Sequence, residues 1–151
     1  MRFISAKGLD LLKGFEQCNL SSYKDIGGIW TIGWGHTGPE VLAGLVISQS
    51  RADKLLDNDL KRFEDAVNNG VTSSITQHEF DALVCFFYNV GNRAALGSTL
   101  LKDLNHNDYN KASKDFLDWD KVQGHVVYGL LRRRKAESDL FLADDLINNE
   151  K

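Results

Sequence analysis

Apolar residues recur at helical spacing over much of this chain, and one stretch breaks the rule. Ile4, Leu11, Leu12 and Phe15 follow a helical period around Ser5, a residue type favoured at N-caps, and predict a first helix of about ten residues. From Tyr23 to Trp34 the period changes: β-branched and aromatic residues broken by glycines predict a hairpin turning at Gly27-Gly28. Ser48 opens a longer helix with one apolar stripe, Ala52, Leu55, Leu56, Leu60, Phe63, Ala66 and Val67, ended by Asn68-Asn69-Gly70. Thr76 with Glu79 forms a capping box. The helix that follows, through Val90, is apolar nearly all round and is expected at the buried centre of a lobe. Ser98, Asp108 and the region of Gly129 start three further helices, the second ending near Trp119. No linker, repeat or low-complexity segment interrupts the chain, and its single proline, Pro39, falls in a loop.

Length turns this pattern into an organisation. With 151 residues, 42% of them hydrophobic, the chain can build one core and is too short for two ordinary domains. The expectation is a single domain over 1–151 with two lobes around a cleft. A hairpin lobe would cover about 16–66, and a helical lobe 1–15 and 67–151, joined by the long helix.

Charge and cysteine content remove several function classes. A formal charge of -3 gives no global basic field for nucleic acid or an anionic surface. The run Arg132-Arg133-Arg134-Lys135 is the exception, but on a helix four consecutive side chains point around the whole circumference and make no single patch. Cys18 and Cys85 are the only cysteines, and free thiols are the expected state in a reducing compartment. There is no Cys-x-x-Cys, and His36, His78, His106 and His125 show no paired ligand spacing, so neither a metal nor a cofactor is expected. Lys7, Asp10 and Lys13 interrupt the N-terminal apolar residues, so neither a signal-peptide core nor stable membrane insertion is expected there.

Two carboxylates flank the break in helical pattern. Glu16 sits at the C-terminal end of the first predicted helix, where the helix dipole disfavours negative charge. That is a liability for a structural acid and an advantage for a general acid, whose pKa must rise towards the working pH. Asp25 precedes the glycine pair, and Thr31 follows it. Taken alone, Asp25 reads as a turn former and Thr31 as a strand former. Glycosidic hydrolysis needs one protonated carboxyl and one ionised carboxylate on opposite faces of a sugar, which a helix end facing a hairpin can supply.

The order Glu16, eight residues, Asp25, five residues, Thr31, then Ile32-Gly33-Trp34-Gly35-His36-Thr37, resembles the phage-type lysozymes, the endolysins of glycoside hydrolase family 24. The resemblance continues through Ala82-Leu83-Val84-Cys85-Phe86-Phe87-Tyr88-Asn89-Val90-Gly91, Ser98-Thr99-Leu100-Leu101, and Gly129-Leu130 with the arginines after it, and so spans nearly the whole chain. It implies an α+β, mostly helical, lysozyme-like two-lobe fold. It also implies hydrolysis of the β-1,4 bond between N-acetylmuramic acid and N-acetylglucosamine in peptidoglycan, for host cell lysis. Glu16 would protonate the leaving oxygen, Asp25 would direct the attacking water and Thr31 would position it. In such an inverting displacement the carboxyls stand about 6.5–9.5 Å apart.

The resemblance extends to supporting residues. Gly35, His36 and Asn89 become candidates for substrate contact. For His36 a structural acidic partner is the alternative, and for Asn89 helix C-capping before Gly91. One arginine of the basic run would lie under the cleft and pair with Glu16. Arg133 is the candidate, because it shares a helical face with Ala136 and Leu140. Trp30 and Trp34 alternate with Thr31 and are expected to turn into the core rather than stack on sugar. The implied partner is a peptidoglycan glycan strand, met by a monomer that leaves the host cytoplasm through a separate holin-type pore and acts in the periplasm. Two rivals stand beside this reading: a lytic transglycosylase, which needs only one carboxyl, and a non-catalytic wall-binding module. The retained Asp25 and Thr31 argue against both.

Overall fold

A computed structural model describes residues 1–143. It is mostly helical with small antiparallel sheets, the α+β class that the sequence pattern predicts. Two compact units emerge, Asp10–Arg62 and Met1–Leu9 together with the chain from Phe63 onward. Their limits fall inside helices α1 (Ala6–Glu16) and α2 (Gln49–Gly70), a few residues from the positions 16 and 66 read off the pattern. No helix of the described residues is long and apolar enough to cross a membrane.

The unit over Asp10–Arg62 carries a three-stranded antiparallel sheet, β1 (Asn19–Lys24), β2 (Trp30–Gly33) and β3 (His36–Thr37), in that order. Tyr23 stands opposite Thr31 and Lys24 opposite Trp30, whereas Asn19 stands opposite Gly33. The ladder is irregular between Asn19 and Tyr23 because the middle of β1 has another partner. The Ser22 N–H donates to the Leu45 carbonyl and the Ile47 N–H to the Leu20 carbonyl, both at 2.9 Å, and Ser21 bridges to Val46. Strand β1 thus pairs with the segment 45–47 midway and returns to β2 at Tyr23. Bulges of this kind re-aim side chains. Ile32, Val41, Ala52, Leu56 and Leu60 are buried in this unit.

The other unit is built on α3 (Gln77–Val90). Its predicted capping box is present: the Glu79 N–H donates to Thr76 Oγ1 at 3.1 Å, and the Thr76 N–H donates to Glu79 Oε1 at 2.8 Å. The helix is apolar nearly all round because its surroundings bury Phe80 and every residue from Ala82 to Phe87. Around it lie α4 (Asn92–Leu96), α5 (Thr99–Asn105), α6 (Tyr109–Asp115) with a 3₁₀ turn over Phe116–Asp118, and α7 (Tyr128–Phe141). Ser98 and Asp108 cap α5 and α6 as the pattern predicts, accepting from Leu101 and Lys111. Phe86 meets Phe116 and Trp119 edge-on, with centroids 5.4 and 5.5 Å apart, the favourable geometry for aromatic rings. Helix α4 and a two-stranded hairpin, β4 (Lys121–Val122) with β5 (His125–Val126), are additions that the pattern did not announce. Both are too short to show a period. The first residues of the chain join this unit through the buried Asp81, whose carboxylate accepts from the Ser5 N–H at 2.9 Å and from the Ser5 hydroxyl.

Candidate active site

Five of the expected residues fall in the Asp10–Arg62 unit. Glu16 is the last residue of α1 and half-buried. The helix stops there because Gln17 adopts a left-handed conformation, φ 54°, while its N–H closes a last bond of 3.0 Å to the Lys13 carbonyl. Glycine usually fills such a position, and a non-glycine residue in it concentrates at functional sites. Gly35, φ 95°, lies directly against the acid: a Cβ there would come within 3.1 Å of Glu16 Oε2. The Trp34 indole N–H donates to Asp53 Oδ1 at 2.9 Å, and the Lys13 ammonium lies 5.2 Å from the Trp34 ring centre. Trp34 is therefore a half-buried brace between α1 and α2, not a fully buried core residue. Trp30, expected in the core, is also half-buried, with Lys24 over its ring.

Asp25 and Thr31 are organised by one residue between them. The Ile29 N–H donates to Asp25 Oδ1 at 2.9 Å, and the Ile29 carbonyl accepts both the Asp25 N–H and the Thr31 hydroxyl, each at 2.9 Å. The intervening loop is a tight turn, with the Gly28 N–H on the Asp25 carbonyl and Gly28 at φ 79°, a conformation that strongly favours glycine. Asp25 is exposed and Thr31 is 4% exposed. With its proton committed to Ile29, the Thr31 hydroxyl keeps lone pairs that can only accept. The Asp25 carboxylate likewise keeps acceptor capacity beyond its bond to Ile29. A water held by both would have each of its protons directed to an acceptor.

His36 is clamped by two carboxylates. Its Nδ1 lies 2.6 Å from Asp59 Oδ2 and its Nε2 2.6 Å from Glu40 Oε1. Burial pulls the imidazole pKa down, but the bonds to Glu40 and Asp59 and their charges outweigh it, so the net shift is upward. Asp59 also accepts from Arg62 at 3.1 Å. The sequence announced an acidic partner here without saying which, since Asp59 is 23 positions away.

Tyr23 is a residue that the sequence reading passed over. It is half-buried on β1, opposite Thr31. Burial and the charge of Glu16 push its phenol above the ordinary value, Asp25 adds to this, and a side-chain hydrogen bond from Asn19 works the other way. Hairpin pairing was the available signal, because a turn at Gly27-Gly28 sets residue 23 opposite residue 31.

Asn89 and Arg133 belong to the other unit. Arg133 is buried, with its Nε 3.1 Å from Glu137 Oε2 and its Nη2 donating to the Cys85 carbonyl at 3.1 Å. The next residue, Arg134, is more deeply buried, which the pattern did not announce. It meets Glu137 at 3.1 Å, lies over the Phe86 ring at 5.1 Å and donates to the Asn89 carboxamide oxygen. Arg133 and Arg134 share Glu137 because they stand four and three residues before it on one helix. The α3 C-terminus is closed by the Gly91 N–H on the Phe87 carbonyl, not by Asn89. Cys18 and Cys85 are both free, Cys18 accepting a bond from Gln49 and Cys85 donating to the Gly8 carbonyl.

Glu16 thus closes a helix, Asp25 opens a hairpin turn and Thr31 lies buried beyond it. The chain belongs to the phage lysozyme family, whose model matches residues 13–137 and so includes Glu16, Asp25, Thr31, Gly35, His36, Asn89 and Arg133. It is 43% identical over 147 residues to an endolysin of Bacillus phage B103, covering 96% of this chain and 56% of that protein. It is 40% identical to the endolysin of Salmonella phage P22, covering 95% of this chain and all of that one. The chain thus spans about half the length of the Bacillus phage relatives it matches. Among solved structures it superposes on the muramidase domain of SpmX from Asticaccaulis excentricus with a TM-score of 0.87 at 36% identity, covering 95% of this chain and 100% of that one. A P22 lysozyme mutant gives 0.82 at 38% identity, with coverage of 95% and 100%.

Proposed function

We propose that this protein is an endolysin-type muramidase that hydrolyses the β-1,4 bond between N-acetylmuramic acid and N-acetylglucosamine in bacterial peptidoglycan. Family membership supports the activity. The observation that carries the mechanism is the arrangement around Ile29, where one backbone residue fixes the carboxylate of Asp25 and the hydroxyl of Thr31 as paired acceptors. Glu16 donates a proton to the leaving oxygen. Asp25 takes a proton from water as that water attacks the anomeric carbon, and Thr31 holds the water in line. The bond to the leaving sugar breaks with its electron pair on the oxygen that Glu16 protonates, and the product is the inverted reducing sugar. No cofactor enters these steps. Gly35, His36 and Asn89 are proposed along the glycan path, and Arg133 as the charge that supports Glu16. The acting species would be a monomer on a glycan strand, reaching the wall from the host cytoplasm through a separate pore.

The test is mass spectrometry and anomer-resolved NMR of the fragments released from purified peptidoglycan. Reducing N-acetylmuramic acid, first formed as the α-anomer, is the expected product. A 1,6-anhydro end would replace the hydrolase by a transglycosylase, and no release by folded protein would replace it by a binding module. Replacing the acid, Glu16→Gln, should lower the rate by about 10²-fold or more with the fold intact. A variant that kept its rate would remove Glu16 from the mechanism.

A further inference from the structure

Within the Asp10–Arg62 unit lies a cavity of about 200 Å³ that the proposed reaction does not use. Ile32 and Val41, both buried, form its deepest lining, and Leu45, Ile47 and Leu55, each half-buried, complete its aliphatic part. Ile32 follows Thr31 on β2, so the two side chains leave opposite faces of the strand. The cavity therefore backs onto the face that Thr31 does not occupy. Five aliphatic side chains offer a water molecule none of the two to four polar partners it needs. The volume exceeds the roughly 150 Å³ of an aliphatic cavity that takes up benzene, so an apolar body of about six carbons fits.

His36, Glu40 and Arg51 share the lining. His36, the cross-strand partner of Ile32, meets Glu40 at 2.6 Å through one ring nitrogen and Asp59 at 2.6 Å through the other. The Glu40 carboxylate is thus already partnered. Arg51 is exposed in the first turn of α2, and among the described residues its guanidinium makes no hydrogen bond or ion pair. A planar fork of donors beside an aliphatic hollow is matched by a carboxylate on a short hydrocarbon chain.

We propose that this cavity is a binding site for a short aliphatic monocarboxylate, its chain against Ile32, Val41 and Leu55 and its carboxylate paired with Arg51. The ligand is a free small molecule and not part of the glycan, so the site stands whether or not the proposed reaction is the right one. Occupancy stabilises the unit that carries Thr31, because a ligand that binds only the folded chain adds its binding free energy to stability.

The probe is hexanoate, titrated near neutral pH into protein labelled at its isoleucine, leucine and valine methyls, with 1-hexanol and hexylammonium as neutral and cationic counterparts. Hexanoate should give saturable NMR shifts concentrated at Ile32, Val41, Leu45, Ile47 and Leu55. It should bind at least about fivefold more tightly than 1-hexanol, as a charge-assisted pair requires, and hexylammonium should bind least. Arg51→Gln should remove the advantage of hexanoate over 1-hexanol and leave 1-hexanol binding as it was. Leu45→Phe should block both by filling the space. Arg51→Gln alters no packed side chain, so the test stands even if Leu45→Phe fails to fold. Shifts that do not saturate or that centre elsewhere would overturn the proposal. So would equal affinity for hexanoate and either counterpart, an advantage that survives Arg51→Gln, or undiminished binding to folded Leu45→Phe.

Discussion

His36 shows how a single residue converts buried geometry into pH dependence. Two carboxylates at 2.6 Å favour its protonated form, so its folded pKa lies above the unfolded value near 6.5. A group shifted this way contributes stability that is fully present below the unfolded pKa and disappears as pH rises through the folded one. Wild type should therefore lose melting temperature from about pH 6 upward, and His36→Asn should remove that part of the slope. The variant's deficit should be greatest at acid pH and shrink at alkaline pH. Thermal melts across the range decide it; a deficit that grows with pH would contradict the clamp. The sequence foretold an acidic partner for this histidine. It could not name Asp59 and Glu40, because one partner is remote in sequence and the other is a residue in an irregular loop. Burial of Arg133 was foreseeable from its face on the helix. Burial of Arg134 was not, since its face depends on how Glu137 and Phe86 are packed.

At the scale of elements, the turn joining β2 to β3 is the most constrained piece of the site. Gly35 combines a left-handed backbone with an approach to Glu16 so close that a methyl group, 3.1 Å from Oε2, would push the carboxyl aside by a few tenths of an ångström. An L-residue there meets about 1–2 kcal/mol of backbone strain before any displacement of the acid is counted. Gly35→Ala should therefore lower both stability and activity, with activity falling further than the stability loss explains. Chemical denaturation and initial rates on the same preparation measure the two. Equal fractional activity per folded molecule would mean that the acid tolerates displacement. Elements with strong local signals were legible: the capping box of α3, the caps of α5 and α6, the stripe of α2 and the glycine-pair hairpin. Those without them were not. Strands β4 and β5 and helix α4 are too short for a period to register, and the change of partner along β1 involves residues 45–47, far from the hairpin in sequence. The left-handed Gln17 was also hidden, because no glycine or asparagine marks it.

At the scale of the whole molecule, the fold class followed from pattern because cap, period and composition agree over most of the chain. The site followed only in part. The spacing from Glu16 to Thr31 carried the resemblance, but the tie through Ile29 and the place of Tyr23 are properties of the folded hairpin. A different consequence attaches to the bond between Ser5 and Asp81, partners 76 residues apart. The segment Met1–Leu9 belongs with chain that follows Phe63, while everything needed for the Asp10–Arg62 unit is made in between. At roughly 5–20 residues per second, a ribosome takes about 4–15 s to deliver Asp81 after Ser5. During that interval Met1–Leu9 can reach Asn68 and Glu64, which hold the backbone of Arg2 and Ile4, but not Asp81, though the hairpin sheet is already complete in sequence. Stalled nascent chains released at increasing lengths should thus gain protease resistance in the hairpin region first and reach full resistance over Met1–Leu9 once Asp81 has cleared the exit tunnel. The segment Met1–Leu9 is completed later than the hairpin that follows it in the chain.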